Sequence, residues 1–181
     1  MNRVIPLVIL SAVSFGSLAD VEHKLGIKFS RLDQTTSLNG FVGEADDKGN
    51  MYGIEYTLLS PISDNEINKV KLGVNLGVDI TTLDYGTTEE ADFTFITLAP
   101  VVSYSLTKEV DVYAKAGFTS WGADLPYSIH LSGTDFIYGL GITYQSFNGA
   151  YSGLEVTQFE GSDDGVTIEN TMASIKVGYK F

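Results

Sequence analysis

The last ten residues, Met172 to Phe181, do most to narrow what this chain can fold into. Ala173, Ile175, Val177, Tyr179 and Phe181 share one parity, and Ser174, Lys176, Gly178 and Lys180 the other. A two-residue period puts an apolar row on one face of a β-strand and a polar or small row on the opposite face. Termini are normally hydrophilic and frayed, whereas this strand runs out on an aromatic. A final strand that closes a barrel in lipid accounts for both features, because its edge must pair and its outward face must be apolar.

The first residues give an address. Met1-Asn-Arg3 is followed by an apolar run from Val4 to Leu18, and Ser17-Leu18-Ala19 has the small-residue spacing of a cleavage site. Residues 1–19 are therefore expected to be a secretory signal peptide, with a single barrel domain over 20–181. The alternative, a membrane helix, needs roughly 20 apolar residues, more than this run supplies. The chain has no Cys, so neither a disulfide scaffold nor thiol chemistry is open to it. A formal net charge of −12 argues against nucleic acid, whose phosphates require a basic face.

Alternation recurs along the chain. Apolar and polar residues alternate over 23–32, 49–58, 69–81, 110–121, 135–145 and 151–159, and again over 166–181. The clearest run is Lys69 to Thr81, with Val70, Leu72, Val74, Leu76, Val78 and Ile80 on every even position. At about 3.3 Å per residue it is long enough to cross a hydrocarbon core at barrel tilt. Residues 93–106 are apolar on both parities and contain Pro100, which cannot donate to a ladder, so a bulge is expected there. The count is eight strands. Residues 32–48, 122–134 and 161–165, and the acidic stretch after Thr81, read as exposed loops that alternate with shorter turns. The fold class is all-β: an eight-stranded antiparallel up-and-down transmembrane β-barrel.

The inward parity collects nearly all the bases: Lys24, Lys28, Lys69, Lys71, Lys115, Lys176 and Lys180, with Glu55, Asp79, Asp111 and Glu155 among them. Charges enclosed in so narrow a barrel must be paired or wet. A lumen network of Lys28, Glu55, Lys71, Asp79, Lys115, Glu155 and Lys176 is expected. Within it Glu55 should sit between lysines of the first and third strands, and Lys115 should meet an acid of a neighbouring or facing strand. Trp121 and the Tyr and Phe residues near strand ends are expected in the interfacial girdles.

Three segments, Val110 to Asp124, Thr134 to Tyr144 and Ala173 to Phe181, resemble the second half of the OmpA/OmpX-like outer-membrane β-barrel family. The resemblance covers 92–181 well and the first half by pattern. It implies an outer-membrane barrel of a Gram-negative cell, delivered through the periplasm and inserted by machinery that reads a terminal aromatic strand. Here Phe181, Tyr179, Val177 and Ile175 match that signal. No peptidoglycan-binding domain follows the barrel in this sequence, so a cell-wall tethering role is not expected.

Three functions are open at this stage. The first is a structural or surface-interaction barrel, a monomer whose acidic loops meet a host or phage surface ligand while its wall contacts outer-membrane lipid and lipopolysaccharide. The second is a lipid A-modifying enzyme, because His130-Leu-Ser132 resembles the His-x-Ser of the lipid A deacylase family, in which a Ser nucleophile needs a His base oriented by an acid. A loop position for the pair, with Asp135 and then Glu155 as the following acids of that strand and the next, argues against it. The third is a narrow ion channel. Asp46-Asp47 and Asp163-Asp164 lack the spacing of a calcium loop, and no catalytic, cofactor or metal residue is assigned.

Overall fold

A computed structural model describes residues 21–38, 44–62, 70–84, 90–125, 129–163 and 166–181; the signal peptide expected over 1–19 lies outside them. Eight strands follow one another: β1 Glu22–Leu38, β2 Glu44–Pro61, β3 Val70–Asp84, β4 Glu90–Ser105, β5 Val110–Leu125, β6 Ile129–Gln145, β7 Ala150–Asp163 and β8 Val166–Lys180. Each pairs antiparallel with the next, and β8 returns to β1, so the sheet is a closed barrel. Closure leaves no strand without a neighbour, the condition for placing backbone amides in hydrocarbon.

The outward faces are apolar. Leu25, Ile27 and Phe29 of β1 stand beside Tyr52 and Ile54 of β2, and the band continues through Val78, Leu98, Phe118, Leu140, Leu154 and Ile175. Leu140 is 69 % exposed and Ile27 62 %. A continuous apolar belt of this extent is untenable against water, so the medium around the barrel is lipid.

Three expectations about strand limits change. β1 and β2 continue as a paired ribbon through 32–38 and 44–48, and β5 and β6 through 122–125 and 129–134, where loops were expected. Hydrophobic alternation stops at the edge of the membrane, but ladder hydrogen bonds need no apolar face once both sides are in water. Pro100 forms no bulge. The β4–β5 register is the same at Leu98↔Phe118 and Val101↔Lys115, and only the pairs between them are missing. The N–H of Leu106, on the same parity, points to β5 by donating to Val110 O at 2.8 Å. The Pro100 nitrogen thus faces β5, and the ladder is interrupted there without a shift.

Candidate functional site

Inside the barrel the inward residues form three layers. Nearest the start of β1 and the end of β8, Lys71 reaches Glu22 at 2.7 Å and Asp111 at 3.5 Å, Lys24 reaches Asp111 at 3.4 Å, and Lys180 reaches Glu22 at 3.4 Å. Ser105 donates its hydroxyl to Asp111 at 2.6 Å. Lys71 thus belongs to this layer, apart from the other network residues.

The middle layer is buried. Lys28 meets Asp79 at 2.7 Å; Lys115 meets Glu155 at 2.8 Å; Lys176 meets both Glu155 and Glu55 at 2.7 Å. Glu55 therefore pairs with a lysine of β8, where lysines of β1 and β3 were expected. The lumen is narrow enough for long side chains to reach past the adjacent strand. Lys28 and Lys176 are direct cross-strand neighbours, and their like charges turn to different acids. Glycines on intervening strands make room: Gly53 of β2 lies between Lys28 and Asp79, and Gly141 of β6 between Tyr113 and Glu155. A Cβ on Gly53 would run into the Asp79 carboxylate, and one on Gly141 into the Tyr113 ring. Tyr113 donates its hydroxyl to Glu155 at 2.9 Å across that gap. A cavity of about 30 Å³ remains among Lys24, Glu55, Asn75, Tyr113, Lys115 and Lys176, the size of a single water.

Above the charges, at the end away from the start of β1, an apolar cluster fills most of the lumen, with Gln34 and Asn170 buried beside it. Leu32, Met51, Phe93, Phe95, Trp121, Ala123, Ile137, Phe159 and Met172 form a buried cluster. Phe95 packs edge-on against Phe159 at 5.6 Å and stacks with Phe93 at 6.2 Å. Trp121 is 4 % exposed and donates its indole N–H to Asp135 at 2.6 Å. It belongs to this plug and not to an interfacial girdle, which corrects the expectation; Phe93, Phe95 and Phe159 are likewise inside. Parity was the available signal, since Trp121 is odd on a strand whose outward residues Ala114, Ala116 and Phe118 are even.

Beyond the plug the barrel wall divides. The β2–β3 ladder ends at Met51↔Thr81, although both strands continue, and the Thr81 hydroxyl donates to Asn50 O at 2.7 Å. The β6–β7 ladder ends at Ile137↔Phe159 in the same way. Two seams thus separate the upper ends of β3 to β6 from those of β7, β8, β1 and β2. His130 and Ser132 lie on strand β6 and not in a loop, which corrects their expected placement. Ser132 is exposed on the parity of Phe136 and Tyr138; Asp124 is the cross-strand partner of position 130.

At the opposite end Phe181 is 65 % exposed and stacks on His23 at 5.7 Å, while their backbones exchange two hydrogen bonds. Tyr179, Val177 and Ile175 stand outward on β8.

The family model for the outer membrane protein β-barrel domain matches residues 5–181. Among curated protein sequences none matches the chain. Similar solved structures include Ail, the attachment invasion locus protein of Yersinia pestis, at 15% identity and TM-score 0.55, covering 90% of this chain and 99% of that one; a second Ail structure, at TM-score 0.52, is in complex with the heparin analogue sucrose octasulfate. Neisserial surface protein A matches at 13% identity and TM-score 0.58, covering 87% and 97%. The outer membrane protein OprG of Pseudomonas aeruginosa matches at 12% identity and TM-score 0.56, covering 90% and 96%.

Proposed function

Because the chain belongs to the outer membrane protein β-barrel domain family, its place is the outer membrane of a Gram-negative cell, and we propose a surface-interaction role for it, adhesion-like and without transport. The observation that carries this reading is the apolar plug beneath strand ends that project past it. The start of β1 and the end of β8 lie at one rim, the periplasmic one for a protein inserted from the periplasm, so the projecting strands face the cell exterior. Outer-membrane lipid and lipopolysaccharide surround the belt, and insertion machinery reads the exposed row Ile175, Val177, Tyr179 and Phe181. The barrel works as a monomer.

What the projecting strands meet follows from charge. Asp92, Asp124, Glu160 and Glu169 are exposed on the upper wall, on a chain of net charge −12. A sulfated polyanion such as the Ail ligand is repelled by such a surface, and a basic partner on a host cell or phage is attracted. The test is to replace residues 123–132 by a two-residue Asn-Gly turn and to measure attachment of expressing cells to cultured host cells. Attachment falls to the level of cells lacking the protein while the barrel keeps its heat-dependent gel shift; unchanged attachment refutes the role for this end of the barrel.

One observation favours a second reading, an enzyme acting on lipid A. Asp124, position 130 and Ser132 occupy neighbouring sites on strands β5 and β6, in the acid, base and nucleophile order such chemistry uses; the side chain of His130 lies outside the described ones. Under the surface role, Ser132→Ala leaves the acylation pattern of lipid A unchanged by mass spectrometry. An extra acyl chain in that variant establishes the enzyme.

A further inference from the structure

A groove of about 920 Å³ runs around the outside of the wall. Its floor passes from Ala114 of β5 through Leu140 of β6, Val156 of β7 and Ala173 of β8, and it ends at Arg31 of β1. Each of these residues is the cross-strand partner of the next, so the groove follows the hydrogen-bond direction of the sheet. Strands of a closed barrel are staggered, and a path in that direction climbs the wall. It begins beside Tyr104, next to the last residue of β4, and reaches β1 nine residues above Glu22. Five strand steps of about 4.8 Å make it about 24 Å long.

Arg31 stands exposed at the upper end, on the face that carries Leu25, Ile27 and Phe29 below it. Its Nη1 donates to Asn50 Oδ1 at 3.1 Å, a neutral acceptor, and no acid pairs with it among the described residues. Asp33, the next outward residue of β1, is taken by Lys48 at 2.9 Å. The lumen lysines, by contrast, each have a carboxylate. A guanidinium is a fixed charge, and at the edge of hydrocarbon it requires an anion. The chain supplies none, so the surrounding lipid does.

We propose that this groove seats the acyl chains of a phosphorylated glycolipid of the outer leaflet, lipid A, with one of its phosphates on Arg31. The site rests on the reading above that lipopolysaccharide surrounds the belt and that the upper end faces the exterior. Asn50, with its Oδ1 engaged by Arg31, presents its amide NH2 as a second donor. On the other side the Ala173 methyl leaves the guanidinium uncovered and continues the floor of the groove. Asp92, Asp124, Glu160 and Glu169 repel phosphate from the rest of the upper wall, which makes Arg31 the point of attachment. A groove that crosses six strands takes several chains under one headgroup, and this selects a multiply acylated lipid over a two-chain phospholipid.

The test is native mass spectrometry of the full barrel released from detergent micelles. The probes are hexa-acylated lipid A with two phosphates, the same lipid without phosphate, and phosphatidylglycerol. The parent retains one molecule of the bisphosphorylated lipid. Arg31→Gln weakens its retention by about tenfold or more, the scale of a charge-assisted hydrogen-bonded pair. Ala173→Leu keeps the charge and fills the groove beside it, and it weakens retention to a similar degree. Ala116→Leu, outward on β5 but outside the groove, retains the lipid as the parent does. The heat-dependent gel shift checks that each variant is a folded barrel. Equal retention of the phosphate-free lipid, or undiminished retention by Arg31→Gln, removes the phosphate contact and overturns the proposal. Undiminished retention by Ala173→Leu removes the groove, and phosphatidylglycerol held as tightly as lipid A reduces the effect to headgroup attraction; either result overturns it too. If lipid A is not retained while replacement of residues 123–132 still abolishes cell attachment, the lipid site falls and the surface role stands. Retention by the parent with attachment unchanged is the reverse case, in which the lipid site stands and the surface role falls.

Discussion

Replacing Lys176 with methionine is expected to destabilise the barrel by about 3–5 kcal/mol, the cost of removing one partner from a buried ion pair. Lys176 is 3 % exposed and is the cation shared by Glu55 and Glu155. Without it Glu155 retains Lys115, while Glu55 has no other ion pair among the described residues. The loss falls mainly on Glu55, which is 4 % exposed. Adding Glu55→Gln to Lys176→Met is therefore expected to recover more than half of the loss, and adding Glu155→Gln to recover less. Urea titration of refolded protein in lipid vesicles, followed by the heat-dependent gel shift, measures all three. Equal recovery by the two glutamines would mean that Lys176 serves both acids alike, and no loss in Lys176→Met would mean that the middle layer is wet enough to solvate its charges.

Truncating Phe95 and Phe159 together to alanine is expected to open a lumen that is closed in the parent. The two rings are 4 % exposed or less, and their contact spans the barrel from β4 to β7. Each truncation costs about 3–5 kcal/mol of packing. Because the rings touch, the pair is expected to lose less than the sum of the single losses. In planar bilayers the parent shows no resolved openings, and the double variant shows discrete steps once water entering from the mouth hydrates the ion pairs of the middle layer, which otherwise still close the path. Phe118→Ala is the control: Phe118 is 61 % exposed on the lipid face, packed against Phe136, and its loss leaves the bilayer silent. A parent that conducts, or a double variant that folds and stays silent, would mean that the aromatic layer is not what closes the lumen.

Much of the architecture could be read from residue order, and the reason is local. The two-residue period of a strand comes from covalent geometry, so Val70 to Ile80 and Ala173 to Phe181 reveal their faces without knowledge of any neighbour. Strand 93–106 resisted the same reading because both its faces are apolar: Ile96, Leu98 and Val102 meet lipid, while Phe93, Phe95 and Val101 fill the lumen. Trp121 was placed in a girdle on the strength of its residue type, although its parity already turned it inward. For Leu32 to Leu38, Gly122 to Leu125 and Ile129 to Thr134 the apolar rhythm stops where the membrane stops, and sequence has no other strong mark for a strand that goes on in water.

The sequence by itself determined the number of strands, the side of the wall on which most residues stand, and the lipid that surrounds them. Those properties depend on alternation, and alternation is carried by each segment alone. Only the tertiary structure decided that Glu55 meets Lys176, that Lys28 reaches Asp79 over Gly53, and that two ladders end early and divide the mouth. These depend on the stagger adopted by eight strands when they close, which brings residues more than a hundred positions apart into one cross-section. No local pattern encodes that stagger, because a change in register alters every cross-lumen pair while leaving the alternation of each strand intact.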